Sequence, residues 1–191
     1  MEKNGLELCF VTGNKEKLAV AKLALKGQPI KIISTKIDCE EIQSESVEEI
    51  AIKSAIFAMK KIHKPLVKID AGLFIGALDG FPGPYSAFVE KKLKARNILQ
   101  MMKGVSNRKA FYQEVLVFLE AGKEPVVFVT FTYGHIARRS SGKFGWNFDR
   151  IFIANGDKKT MANFNDQERI AKYSNKHWQE LVLFLRSNRY L

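Results

Sequence analysis

Leu6-Glu7-Leu8-Cys9-Phe10-Val11-Thr12-Gly13-Asn14-Lys15-Glu16-Lys17 holds the first sharp change of pattern in the chain. Its first half is an apolar run of strand length. Its second half turns polar around a glycine. From Glu16 to Lys26 the apolar residues Leu18, Ala21 and Leu25 recur at helical spacing, and Gly27 and Pro29 stop the helix. A strand that runs straight into a helix leaves free backbone N–H groups and the positive dipole end at the junction, which suits a phosphate. Asn14 would cap that helix and donate to an oxygen, and Lys17 in its first turn would neutralise a phosphate. The same residues also fit a plain Asn cap beside a surface lysine, and the motif is not a P-loop.

Outward from this junction the pattern repeats. Ile30-Lys31-Ile32-Ile33 reads as a second strand. Ser46 with Glu49 three residues on resembles a capping box, and a helix should run to about Ile62. Pro65 precedes a short strand, Leu66 to Ile69. A β-α-β-α-β opening argues for a mixed or parallel sheet with helices on its faces. Asp79-Gly80-Phe81-Pro82-Gly83-Pro84 must be a loop, and Leu93 to Met102 looks helical. Ala110 to Leu119 and Val126 to Tyr133, joined by Glu120-Ala121-Gly122-Lys123, form a long antiparallel hairpin. Ile151-Phe152-Ile153 is another strand. Asp166 to about Arg186 has helical spacing through Ile170, Tyr173, His177, Leu181 and Phe184. The expected fold is α/β: a long mixed central sheet flanked by helices, one domain over residues 1–191 with two lobes and a cleft between them.

Composition narrows the class. The 191 residues suit one domain or two small lobes sharing a core. Hydrophobic residues at 46% and charged residues at 27% fit a globular protein. No apolar run approaches the roughly 20 residues of a membrane span, and the first residues lack a secretory leader pattern. Two cysteines, Cys9 and Cys39, without CxxC or clustered histidines, argue against a zinc site or disulfide framework and for a reducing cytoplasm. The formal charge of +11 favours polyanionic partners without choosing among nucleic acid, membrane surface and phosphorylated small molecules. A solvated lysine-rich surface accounts for it equally well.

Two further features bear on chemistry. Glu41 and Asp70 each lie beside an expected strand edge, and carboxylates converging near phosphates suit Mg2+, a hard cation that prefers oxygen. A solvated glutamate and a loop-capping aspartate fit the same spacing. Gly80-Phe81-Pro82-Gly83-Pro84-Tyr85-Ser86 fixes a tight path that would bring backbone N–H groups close to a ligand, or serve only as a turn. His63, His135 and His177 are scattered without a metal or triad partner at recognisable spacing. The aromatic segment Gly142 to Asp149 would stack on a base or pack as a loop, and Cys9 reads as core.

Taken together, these segments resemble the inosine triphosphate pyrophosphatase family, also called Ham1-like. Thr12, Asn14 and Lys17 match its T-x-N-x-x-K, and Glu41-Ile42-Gln43 its E-I-Q. Asp70-Ala71-Gly72-Leu73 stands for D-S-G-L, and Gly80 to Ser86 for G-x-P-G-x-Y-S. Arg108-Lys109-Ala110-Phe111-Tyr112 echoes R-x-A-x-F, and Gly145-Trp146-Asn147-Phe148-Asp149-Arg150-Ile151-Phe152 lines up with G-F-G-Y-D-P-I-F. Lys159-Thr160-Met161-Ala162-Asn163 follows for K-T-F-A-E. The resemblance implies a Mg2+-dependent, cytoplasmic homodimer that hydrolyses non-standard purine nucleoside triphosphates (ITP, dITP, XTP) to monophosphate and pyrophosphate. It implies Asn14 and Lys17 on the triphosphate, Glu41 and Asp70 on the metal, and Asp70 with Lys17 as the catalytic pair. Thr12, Ser86, Arg169 and Ser174 would join them on substrate, with Trp146, Phe148 and Asp149 forming the base pocket.

The chain departs from that pattern at several positions. Ile69 stands where the family has a second acid, and Ala71 where it has Ser or Thr. Asn147 replaces a glycine and Arg150 a proline. The C-terminal E-E-K-N-x-x-S-H-R becomes Gln167-Glu168-Arg169-Ile170-Ala171-Lys172-Tyr173-Ser174-Asn175, in which only Arg169 keeps the lysine's charge. A shift of one residue instead sets Ser174-Asn175-Lys176 against S-H-R. These changes and the net charge motivate a second reading, a catalytically lapsed member that binds nucleotide or nucleic acid. A third, a pyrophosphatase acting on modified pyrimidines, fits less well with the pattern from Gly80 to Ser86.

Overall fold

A computed structural model describes residues 5–39 and 42–191. Three elements read from the first 35 residues are present: β1 (Leu6–Val11), α1 (Lys15–Ala24) and β2 (Ile30–Thr35). β1 pairs in parallel with β2 along its whole length, and with β3 (Leu66–Ile75) through Cys9 and Phe10. Flanked by strands on both edges, β1 buries its last four residues almost completely, as a central parallel strand must. α2 (Val47–Ile62) starts where Ser46 accepts the Glu49 N–H. The Glu49 carboxylate turns to the Ser44 hydroxyl instead of closing the box. His63, in the left-handed region, ends the helix.

β3 runs ten residues, through Asp70 and Gly72 to Ile75, where the sequence suggested a short strand ending at Ile69. Gly72 makes this continuation workable. A Cβ there would lie 2.5 Å from the Gly83 carbonyl oxygen of β4 (Pro82–Gly83), which pairs antiparallel with β3. The Phe81–Pro82 peptide is cis. The segment after it holds two helices, α3 (Ser86–Lys92) and α4 (Ala95–Met101), where one was expected. The long hairpin is β5 (Lys109–Leu119) and β6 (Val126–Ile136), and β7 (Phe152–Ala154) pairs antiparallel with the end of β6. The strand order is β2-β1-β3-β5-β6-β7, with β4 on β3, so the sheet is mixed, as expected.

The C-terminal helix is not continuous. α5 (Asp166–Arg169) passes into a π turn, Ile170–Ser174, and then into α6 (Lys176–Ser187). Unbroken apolar spacing in the sequence conceals this change of winding.

The chain divides into two compact units. The first comprises residues 1–70, 115–130 and 174–191, the second residues 71–114 and 131–173. β3, β5 and β6 each pass from one unit into the other. The first unit's core gathers Leu8, Phe10, Val67, Leu116, Trp178, Leu181 and Leu185. Phe10 meets Trp178 edge to face at 5.7 Å. The second unit's core is built on Leu73, Ile75, Ile98, Tyr112, Phe148, Ile151 and Phe152. No described helix is long and apolar enough to cross a membrane.

Candidate active site

In the first unit the strand–helix junction is formed by its own side chains. The Asn14 amide oxygen accepts the N–H groups of Glu16 (2.8 Å) and Lys17 (3.2 Å), satisfying two donors that a helix start leaves open. Thr12 Oγ1 accepts the Asn14 N–H at 3.0 Å. These bonds use the Thr12 and Asn14 oxygens and leave the Asn14 NH2 group as the exposed donor of the junction. Lys17 reaches from α1 to β3, where its ammonium donates to the Ile69 carbonyl at 3.0 Å. That bond puts a positive charge at the residue preceding Asp70.

Asp70 is unevenly satisfied. One carboxylate oxygen lies 3.5 Å from the Lys68 ammonium, with the two side chains only 14% and 22% exposed. The other, Oδ2, is buried and has no hydrogen-bond partner among the described residues. A buried acceptor without a donor is costly, and a cation, water or ligand bound there would satisfy it. Glu41, the second expected metal ligand, lies outside the described residues. Among the described residues no three His, Cys, Asp or Glu side chains gather into a metal cage. One unpartnered carboxylate oxygen nonetheless fits Mg2+, which commonly takes one or two carboxylates and completes its shell with water and substrate phosphates.

His177 lies in this unit at the start of α6, 1% exposed, with Nδ1 3.5 Å from the Thr130 hydroxyl. Burial, and then the nearby Lys17 cation, push its pKa down to about 4. In the sequence, the spacing of His177 fits an ordinary core position of the helix.

The second unit holds a denser polar cluster around the loop from Gly145 to Arg150. Asp149, 4% exposed, receives the Tyr112 hydroxyl on Oδ1 at 3.3 Å. On Oδ2 it receives the Trp146 N–H at 2.9 Å and Arg169 at 2.8 Å. Burial raises the Asp149 pKa to about 6 even though Arg169, Trp146 and Tyr112 favour its charged form, and the Glu90 charge adds to the rise. Burial, with the Asp149 charge second, likewise pushes the Tyr112 hydroxyl well above its ordinary range. Gly145 has a φ of +68°, and a Cβ there would lie 1.3 Å from the Arg169 guanidinium and 2.1 Å from the Asp149 carboxylate. Glycine at this position is what lets the ion pair form.

The remaining expected contacts sort by what their groups already do. The Ser86 hydroxyl, expected on substrate, donates to the Gly83 carbonyl (2.7 Å) and accepts the Leu73 N–H (2.8 Å). Its only proton is therefore committed to the turn. Phe148, expected in the base pocket, is 2% exposed and belongs to the hydrophobic core, so it supports the loop from beneath. Trp146 is half-buried. Arg108 donates to the carbonyls of Ile136, Met102 and Ala137, a purely structural clamp. Thr160 ties to Ser141, and a Cβ on Gly142 would sit 2.2 Å from the Ala162 backbone, so the two segments pack backbone to backbone. Ser174 is in the π turn. Glu90 and Lys68 are not among the sequence candidates, Tyr112 enters only within the Arg108–Tyr112 echo, and His177 stands there only as one of the scattered histidines. Of these, Lys68 alone had a local signal, standing two residues before Asp70 and so on the same face of β3.

Known proteins share the sequence pattern and the fold. The model of the Ham1 family matches residues 8–177. A dITP/XTP pyrophosphatase of Methanosarcina mazei is 39% identical over 163 residues, covering 85% of this chain and 88% of its own. A dITP/XTP pyrophosphatase of Methanopyrus kandleri is 38% identical over 164 residues, with 86% and 87% covered. Among solved structures, a HAM1 protein from Coxiella burnetii superposes with a TM-score of 0.85 at 28% identity, covering 95% of this chain and 99% of its own. The Ham1 protein of Staphylococcus aureus gives 0.83 at 25% identity with the same coverage. With the motifs in the expected order and the matching fold, this chain belongs to the Ham1 family.

Proposed function

We propose that the protein is a nucleoside triphosphate pyrophosphatase that hydrolyses non-standard purine triphosphates, of the ITP, dITP and XTP type, to monophosphate and pyrophosphate. The observation that carries this reading is in the first unit. A lysine from α1 and an unpartnered aspartate oxygen are brought to the same short segment of β3. Lys17 and the Asn14 amide would grip the triphosphate. Asp70 would orient water and take its proton as the new P–O bond forms at the α-phosphorus and the bond to the leaving pyrophosphate breaks. Mg2+, held by Asp70 and by Glu41, would neutralise the charge on the triphosphate oxygens. Lys68 would supply a positive charge beside Ile69, where the family pattern carries an acid.

In the second unit, the Asp149–Arg169 pair would line the base site with Trp146. Arg169 Nε is a buried donor with no partner among the described residues, suited to the 6-oxygen that inosine and xanthine share and adenine lacks. A π turn holds one more residue than an α turn. With Arg169 in the family lysine's place, the π turn favours the register that sets Ser174-Asn175-Lys176 against S-H-R over the ungapped one.

The protein would act as a homodimer in the cytoplasm. A second copy would cover the aromatic surface of Phe74, Phe111, Phe131 and Tyr133, in which Phe131 is 47% and Tyr133 57% exposed. Sedimentation of the wild type as a dimer and of Tyr133→Lys as a monomer supports that interface.

The activity is tested by incubating purified protein with ITP, XTP, dITP and the standard triphosphates plus Mg2+ and measuring pyrophosphate. Release from the first three, absent in Asp70→Ala, is the expected result. Nucleotide-dependent thermal stabilisation without turnover points instead to the lapsed binder.

A further inference from the structure

Asn147 stands where the family pattern has glycine, yet its backbone does not call for one. Its φ of −60° and ψ of −39° suit any residue. What asparagine adds is a side chain, and the structure uses both ends of the residue. The Asn147 backbone N–H donates to the Glu90 carboxylate on α3. The Asn147 side-chain oxygen accepts the Ala95 N–H at 3.4 Å, at the start of α4, where a helix leaves its donors open. One residue thus spans the junction between two helices from the outside. α3 is itself anchored at its first residue, where the Ser86 hydroxyl bonds to Leu73 and Gly83. The tie is therefore made to a fixed point.

Asn147 is also in the middle of the loop that carries the base-site residues. Trp146 precedes it, its N–H on Asp149 Oδ2, and the Asp149 N–H returns to the Trp146 carbonyl at 3.1 Å. The loop closes on itself around Asp149, and Asn147 connects that closed unit to α3 and α4. A shift of the loop would carry Asp149 with it, and Arg169 through the 2.8 Å ion pair. Hydrogen-bond discrimination between bases is sensitive to displacements of this kind.

We propose that Asn147, held by Glu90 and Ala95, is a positioning residue for base selection: it fixes the Gly145–Arg150 loop and so the Asp149–Arg169 pair. The inference rests on the assignment of that pair to the base site. Glu90 holds the Asn147 N–H and has no expected contact with the nucleotide.

The test compares Asn147→Ala, Glu90→Ala and Glu90→Gln with the wild type. Its first arm needs no substrate. Trp178 is 1% exposed, so acrylamide quenching of tryptophan fluorescence reports on Trp146. Its second arm is the ratio of equilibrium affinities for ITP and ATP. Asn147→Ala and Glu90→Ala should raise the quenching constant and lower the ITP-to-ATP ratio by about tenfold, roughly the discrimination one well-placed hydrogen bond provides. Glu90→Gln keeps an acceptor oxygen for the Asn147 N–H and should restore both. Unchanged quenching in Asn147→Ala and Glu90→Ala overturns the proposal. So does raised quenching with an unchanged ratio, or a Glu90→Gln protein that behaves like Glu90→Ala. Asn147→Ala alters a loop side chain and keeps the test open if Glu90→Ala does not fold. If neither ITP nor ATP binds, the base-site assignment fails, and the quenching arm still decides whether Asn147 holds the loop.

Discussion

The surroundings of Asp70 in the first unit and of Asp149 in the second are built on opposite principles. Asp149 has every carboxylate oxygen engaged, by Tyr112, the Trp146 N–H and Arg169, and it is almost wholly buried. Asp70 has one oxygen near Lys68 and the other buried with no partner among the described residues. A satisfied network fixes geometry, whereas an unsatisfied group is stability forgone for something the folded chain does not itself contain. This contrast supports the proposal that Asp70 serves the chemistry and Asp149 the architecture and recognition.

The contrast breaks most easily through mutation. Asp70→Ala should cut pyrophosphate release by about 10²–10⁴-fold, the usual cost of losing a general acid–base group. Its unfolding free energy should change less than that of Asp149→Ala, because losing the Lys68 partner of Oδ1 is offset in part by removing a buried acceptor, Oδ2, that has no partner among the described residues. Asp149→Ala should do the reverse first. Breaking a buried ion pair costs about 3–5 kcal/mol, readable by urea denaturation. Equal destabilisation by both variants would erase the distinction between the two sites.

Acid sharpens it. The unfolded chain protonates His177 at about 6.5 and the folded chain only at about 4, because burial and the Lys17 cation disfavour the charged ring. The unfolded state therefore binds the extra proton between those values. Stability from His177 is complete above pH 6.5 and falls as pH drops to 4, by up to about 3 kcal/mol. Asp149 runs the other way. Its folded pKa of about 6 lies above the ordinary 3.8, so the folded state takes up a proton first and gains stability as pH falls from 6 toward 4. Denaturation free energies at pH 7 and 4.5 should fall less in His177→Asn than in wild type. The same slope in both proteins would remove His177 from the account. The smallest expected effect is at Lys68. Lys68→Met releases the paired oxygen of Asp70, so Mn2+ should bind the substrate-free protein about threefold more tightly by calorimetry, in line with the modest strength of such pairs.

What the sequence made legible was local. The run from Leu6 to Val11 and the cap at Asn14 read correctly because neighbouring residues settle both. Ser46 gave the start of α2 for the same reason. Asp70 and Gly72 carry turn propensities, and only the approach of the Gly83 carbonyl shows why the strand continues through them. α3 follows a Gly/Pro cluster and ends in lysines, which hid it. The π turn keeps apolar residues on one face and leaves the spacing looking helical. The Asp149 cluster joins Tyr112, Asp149 and Arg169 across 37 and 20 residues of sequence, beyond the reach of any window. The motif resemblance nonetheless put Asp149 and Arg169 among the candidates. It also named Ser86 and Phe148, whose groups the structure shows committed to a turn and to the core.

The central claim is that Lys17 and Asp70 act on one polyphosphate. A double-mutant cycle on pyrophosphate release from ITP, using Lys17→Ala, Asp70→Ala and the pair, tests it most directly. If the two groups work as a unit, the double variant is scarcely slower than Asp70→Ala alone. Losses that multiply as independent factors would contradict the account.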